Sequence, residues 1–363
     1  MRVLGIMSGT SLDGVDYAVC SIQSPEKIRF EDHWSVDFPK ELRARLHRAA
    51  ANESTTYELG ETHHDLGRFY AAGAKGARVD LIGLHGQTVF HSPGKATFQI
   101  GEAAYLAETL RMPVISNFRA ADIAAGGQGA PLATIFHRHV FVKKGKHVAV
   151  NNLGGISNVT SLDWRKGTEP GIVAFDTGPA NILMDMATRH SSEGKKRFDE
   201  NGTLASKGKV NQGLWLKLTK HRYFSQEPPK STGRETFGEA LFESILKFKL
   251  GAEDLLATLA DVTASSIATG YESYLPPVDE VILCGGGALN PYLYACIATA
   301  LRELKSDVAI HSSADFGWHP QVIEASAFAL LAWLTWHRHP GNIPNTTGAR
   351  GPRILGQVSI PPS

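Results

Sequence analysis

Gly5-Ile-Met-Ser-Gly-Thr-Ser-Leu-Asp-Gly-Val-Asp16 is a polar turn set between two apolar runs, Val3–Met7 and Val15–Ile22. Such runs read as strands. The turn itself, Gly9, Thr10, Ser11, Leu12, Asp13, Gly14, Val15 and Asp16, offers backbone N–H groups and hydroxyls to anionic oxygens, as phosphate nests do. Asp13 and Asp16 are the candidates for a water-mediated Mg²⁺ contact, Asp13 first, because that ion gives up its water reluctantly. Taken by itself, a turn of this kind is more simply a polar β-hairpin.

Outward from it, Ile28–Phe38 reads as a third strand and Lys40–Ala50 and Thr55–Ala77 as helices. A buried strand at Asp80–His85, a hairpin through Val89–Ile100, a helix at Glu102–Leu110 and a strand at Pro113–Asn117 follow. The Arg119–Pro131 stretch reads as an irregular loop. The pattern then restarts with strands at His147–Asn151, Ile156–Leu162 and Ile172–Phe175 and a helix at Ala180–His190. Amphipathic helices are expected at Phe237–Leu250 and Leu255–Tyr274, strands at Val281–Cys284 and Val308–Ser312, and a long apolar helix at Pro320–His339. The Gly- and Pro-bearing tail reads as a surface segment. Two halves that each open on three strands predict a duplicated α/β fold. A single doubly wound sheet suits neither the hairpins nor the 363 residues, which favour two domains. We expect one domain over 1–133, joined by part of 340–363, and a second over 134–339.

Two further motifs carry chemistry. Phe175-Asp-Thr-Gly-Pro-Ala-Asn-Ile-Leu-Met-Asp185 runs strand, turn, helix, with Pro179 suited to a first helical turn. Free N–H groups there would suit a phosphate at Thr177 and Gly178, with Asp176 presented at the strand's end. A plain helix cap is the competing reading. Leu283-Cys-Gly-Gly-Gly-Ala-Leu-Asn290 follows a buried strand, and its glycines Gly285, Gly286 and Gly287 would let a flat ligand approach the backbone. The order of the three motifs, with Asn290 closing the last, resembles the phosphate, phosphate, adenosine series of the actin/hexokinase/Hsp70 superfamily. The implied architecture is a duplicated ribonuclease-H-like fold, with the nucleotide in a cleft between two domains. No Walker A loop is present: Gly94-Lys95 is followed by Ala.

Met7–Asp16, Leu84-His-Gly-Gln-Thr-Val-Phe-His91, Asn117–Leu132, Asn152-Leu-Gly-Gly-Ile-Ser-Asn158, Pro229-Lys-Ser-Thr-Gly-Arg-Glu235 and Glu324-Ala-Ser-Ala-Phe-Ala329 together resemble the anhydro-N-acetylmuramic acid kinase family. The resemblance spans residues 7 to about 330. It implies phosphorylation of O6 of the anhydro-sugar by ATP with Mg²⁺, while water opens the bridge at C1, in peptidoglycan recycling. It places Asp176 as base for that water and Gly154 beside the nucleotide. Arg119 falls on the substrate side, where a guanidinium suits a carboxylate. Asp122, Gln128 and Glu324 would face the sugar.

The bulk properties agree. A formal net charge of +1 with 20% charged residues advertises neither nucleic acid nor an anionic membrane as partner. Three cysteines, Cys20, Cys284 and Cys296, without CxxC spacing fit a reducing compartment. No run approaches a membrane span, and the N-terminal apolar run is too short for a signal peptide. We therefore expect a cytoplasmic enzyme, working as a homodimer on a small amino sugar. His63-His64 and the His137/His139 pair lack metal-site partners and read as surface or packing residues. Trp333 and Trp336 read as core or dimer face. The alternatives are another amino-sugar kinase of the same fold, or a non-catalytic Hsp70-like nucleotide switch.

Overall fold

A computed structural model describes residues 1–9 and 11–361, so Thr10 of the polar turn lies outside the described residues. The chain forms two compact units, Met1–Val140 with the segment from Gln321 onward, and Phe141–Pro320. In the first, β1 (Arg2–Ser8), β2 (Gly14–Ser24) and β3 (Lys27–Asp37) form an antiparallel meander. β4 (Leu81–Ser92) runs parallel to β1, carries the hairpin partner β5 (Ala96–Ile100), and is followed outward by parallel β6 (Val114–Ser116).

The second unit repeats the plan. β7 (His147–Leu153), β8 (Ile156–Asp163) and β9 (Gly171–Pro179) form the meander; β10 (Glu280–Cys284) and β11 (Ala309–Ser312) add in parallel beside β7. The orders β3-β2-β1-β4-β6 and β9-β8-β7-β10-β11 match strand for strand in position and sense. This is the ribonuclease-H-like plan twice over, the duplication of the actin/hexokinase/Hsp70 fold. β12 (Gln357–Ser359) closes the first sheet antiparallel to β6.

Burial explains the strand sequences. β7 and β10 are buried along their whole length, as central strands are, although β7 carries His147, Asn151 and Asn152 and β10 begins at Glu280. β3, at the edge, is nowhere fully buried. The helices follow local signals: Thr55 and Glu58 form a reciprocal capping box that starts helix Thr56–Gly73.

Two expectations need correcting. Helix Ile323–Trp336, assigned by its position to the second unit, packs on β1, β2 and β4 of the first. It is apolar on nearly every side, so its periodicity could not say which sheet it covers. Gly5 and Gly83 make the contact close: a methyl group at either would fall on the backbone of Ala325 or Phe328. Buried Ile323, Phe328, Leu330 and Leu331 each contribute roughly 2 kcal/mol of hydrophobic stabilisation. The tail is not a surface strap either. Asn342, Thr346, Thr347 and Leu355 are buried in the first unit.

Candidate active site

At the end of β9 the pairing with β8 slips: Asn158 faces Asp176, but Ser157 faces Gly178. Thr177 is the extra residue of a β-bulge, a device that re-aims neighbouring side chains. Its own hydroxyl turns into the sheet, 2.6 Å from Ser157 Oγ. Thr177 can therefore serve a phosphate only through its backbone. Gly178 follows with φ +145°, and a side chain there would meet the Phe224 ring at 2.7 Å.

Asp176 is left half-buried, and the 228–235 segment folds over it. The Thr232 N–H donates to Asp176 Oδ2 at 2.8 Å, the Asp176 N–H donates to the Lys230 carbonyl at 3.1 Å, and the Tyr223 hydroxyl donates to the Asp176 carbonyl at 2.8 Å. Burial pushes the Asp176 carboxyl up to about 7; Glu235 adds to the rise, while the Thr232 N–H and Lys230 oppose it. A carboxyl poised there exchanges protons readily at neutral pH.

The helix that follows, Asn181–Ser191, does not offer the expected open N-terminus. The N–H groups of Ala180 and Ile182 donate to Gly155 O at 3.0 and 3.1 Å, and that of Asn181 to Gly154 O at 3.0 Å. Asn181 Nδ2 binds Gly154 O as well, at 2.8 Å. Those donors are spent on the β7–β8 turn, which is Gly154's visible role. Of the glycine triplet, Gly285 (φ +81°) and Gly287 are required for packing, since side chains there would strike Leu153 and its neighbours. Gly286 is exposed. Asn290 Oδ1 caps helix Pro291–Leu304, accepting from the Tyr292 and Leu293 N–H groups at 3.1 Å each.

In the first unit the polar turn has a buried underside. Leu12 and Val15 lie in the core, which leaves only their backbone to meet a nucleotide. Leu12 holds φ +57°, a costly setting for a leucine, beside exposed Ser11. Gly14 pairs too closely with Val36 for any side chain. Gly9 O accepts from Gln87 Nε2 at 3.1 Å. The Asp13 carboxylate pairs with Arg43 at 2.6 Å, and Asp16 accepts from Ser35 Oγ at 2.6 Å.

Arg119 sits at the start of the short helix Ala120–Ala124. Its guanidinium donates twice to His85 Nε2, at 2.9 and 3.3 Å, and once to the Gly129 carbonyl at 3.1 Å. Burial lowers the Arg119 guanidinium to about 10, and the Glu324 charge opposes that fall. Burial raises the Glu324 carboxyl, reinforced by Asp16 and opposed by Arg119. Arg119, Glu324, Asp16 and His85 thus form one cluster. Gln128 is half-buried, its N–H on the Thr347 carbonyl at 2.7 Å.

Asp122 does not face a sugar. It is fully buried, and its carboxylate accepts from Asn342 Nδ2 at 2.7 Å, Thr347 Oγ1 at 2.7 Å and the Gly129 N–H at 2.8 Å. It ties the 119–131 loop to the tail.

The family model described as anhydro-N-acetylmuramic acid kinase matches residues 1–361. The anhydro-N-acetylmuramic acid kinase of Microcystis aeruginosa is 38% identical, covering 99% of this chain and 100% of the relative. That of Bacillus cereus strain Q1 is 36% identical over 99% of this chain and its own full length. The chain belongs to the anhydro-N-acetylmuramic acid kinase family. It is, accordingly, an ATP-dependent sugar kinase. A ROK family glucokinase from Streptomyces griseus, in complex with glucose and AMPPNP, is 11% identical with a TM-score of 0.41, covering 92% of this chain and 99% of that one.

Several residues of this kinase escaped the sequence reading. His85 and the 230–235 residues lie inside segments that carry the family resemblance, yet nothing local marked which side chain mattered. Asn342 and Thr347 were lost with the tail. Their signal is the buried carboxylate of Asp122, which needs distant donors.

Proposed function

We propose that this kinase transfers the γ-phosphoryl group of ATP to O6 of 1,6-anhydro-N-acetylmuramic acid while Asp176 takes a proton from the water that attacks C1. The new C1–O bond forms as the C1–O6 bridge breaks. O6 receives the phosphoryl group, ADP leaves, and the water's proton passes to Asp176. The observation carrying this reading is the Asp176 carboxyl at the β9 bulge, raised to about 7 and held on one oxygen by the Thr232 N–H. A base near neutrality activates water without being permanently protonated.

Arg119 would bind the lactyl carboxylate, because a guanidinium pre-set by His85 and Gly129 pairs well with a planar acid. Glu324 and Gln128 would contact the sugar beside it. Ser11, Gly9, Gly154 and Gly286 would serve the nucleotide. Among the described residues no group of three or more His, Cys, Asp or Glu side chains could cage a metal. Mg²⁺ would then arrive on the ATP phosphates and meet the chain through water, at Asp13, whose carboxylate is partly neutralised by Arg43. We place the enzyme in the cytoplasm as a homodimer.

The test is isotopic. Purified protein with ATP, Mg²⁺ and the anhydro-sugar in oxygen-18 water should give N-acetylmuramic acid 6-phosphate labelled at C1. A phosphorylated product that retains its anhydro bridge would remove the water-activating role.

A further inference from the structure

The segment over Asp176 is built as more than a lid. Lys230 extends its ammonium into a set of rings, 4.6 Å from the Tyr274 centroid, 5.0 Å from Tyr223 and 5.9 Å from Phe175. It also donates to the Phe224 carbonyl at 3.4 Å. Rings hold a cation in place without neutralising it. A carboxylate partner would cancel the charge, so a ring cage keeps its field available to neighbours. Two residues on, the Thr232 N–H is fastened to Asp176 Oδ2, and three further on the exposed carboxylate of Glu235 brings the opposite sign. One short segment therefore delivers a fixed donor, a caged positive charge and a negative charge to a single carboxyl group.

We infer that residues 228–235 form a positioning and tuning arm for Asp176, in which Thr232 fixes the carboxyl orientation while Lys230 and Glu235 set its charge balance in opposite senses. This rests on the reading of Asp176 as the base. The groups facing Asp176 are Lys230 and Glu235 of the arm and Tyr223 of the preceding turn. Burial raises the Tyr223 phenol, so it stays neutral and contributes through its hydrogen bond alone. Burial lowers the Lys230 ammonium while Asp176 holds it up, which is the reciprocal of Lys230's action on Asp176.

The direction of each effect follows from the charges. Removing the positive charge of Lys230 makes ionised Asp176 harder to form, so activity should appear only at higher pH. Removing the negative charge of Glu235 does the reverse. The experiment is the pH dependence of kcat/KM in wild type, Lys230→Met, Lys230→Arg and Glu235→Gln. The midpoint of the acid limb should rise by about one pH unit in Lys230→Met and fall by about half a unit in Glu235→Gln. Lys230→Arg should restore it, and the rate at the plateau should change little in all three. A merely structural arm would lower the plateau and leave the midpoint alone, and that result overturns the inference. Glu235 is exposed, so Glu235→Gln remains decisive should Lys230→Met not fold. Asp176→Asn run in parallel separates the layers. Collapse of its turnover with unmoved midpoints elsewhere sinks the arm and keeps the base. Persistence of its turnover sinks both.

Discussion

Asp122 and Asp176 sit in corresponding chemistry and opposite circumstances. Asp176 sits half-buried on the edge strand β9, and Asp122 sits fully buried in the short helix Ala120–Ala124. Asp122 is met by three donors, from Asn342, Thr347 and Gly129, and is fully enclosed. Among the described residues one donor reaches the Asp176 carboxyl, from Thr232, and burial drives its proton affinity up. The sequence singled out both, Asp176 as the base at a strand's end and Asp122 as a residue facing the sugar. The difference teaches that a buried carboxylate becomes scaffold when its lone pairs are filled and reagent when they are not.

The sharpest way to break this comparison is Asp176→Asn. The amide keeps the shape and can still accept from Thr232, but it cannot take a proton. Turnover should fall roughly 10²–10⁴-fold. Stability gives the independent check. A carboxyl raised to about 7 in the fold, from an ordinary value of 3.8, binds its proton more tightly folded than unfolded. That contribution is complete below pH 3.8 and disappears as pH rises through 7. Relative to wild type, the Asn variant should therefore melt higher at pH 8 than it does at pH 4. An unchanged difference across that range would mean that Asp176 is not perturbed.

Asp122→Ala probes the scaffold side. It strands three donors away from water, and the expected loss is about 3 kcal/mol in denaturant unfolding. Catalysis per folded molecule should suffer less than in Asp176→Asn. The reverse order of effects would exchange the two roles.

The smallest effect belongs to His85. Its Nε2 accepts from Arg119, so the ring is neutral with its proton on Nδ1. Burial, and then the Arg119 charge, lower this histidine well below its usual range, which keeps it an acceptor at working pH. His85→Leu, which offers Arg119 no acceptor, should raise KM for the sugar acid about tenfold, as one hydrogen bond to a charged group is worth roughly 1.5 kcal/mol. Its kcat should hardly move. A fall in kcat with KM unchanged would remove Arg119 from substrate binding.

Much of the fold was legible because the strand periods and their restart at His147 are local properties. Helix Lys40–Ala50 was read to the residue. The last helix was assigned to the wrong unit because an apolar cylinder carries no address; the address is written in Gly5 and Gly83, some 240 to 320 residues earlier. The place of Asp176 near a strand's end was legible from strand-then-turn spacing. Its bulge was not, since a one-residue slip depends on the pairing of β8 with β9. The phosphate reading of helix Asn181–Ser191 failed for a similar reason: the acceptors that consume its N–H groups lie about 25 residues upstream, at Gly154 and Gly155.

The placement of helix Ile323–Trp336 has a consequence during synthesis. Residues 141–320 are contiguous and can fold as soon as they leave the ribosome, whereas β1 and β4 are made first and wait. Until Ile323–Trp336 emerges, the face of the first sheet around Gly5 and Gly83 has nothing to cover it. The nascent chain must carry an uncovered apolar sheet through more than half of its translation. That makes the first unit, though earliest in the message, the last to mature.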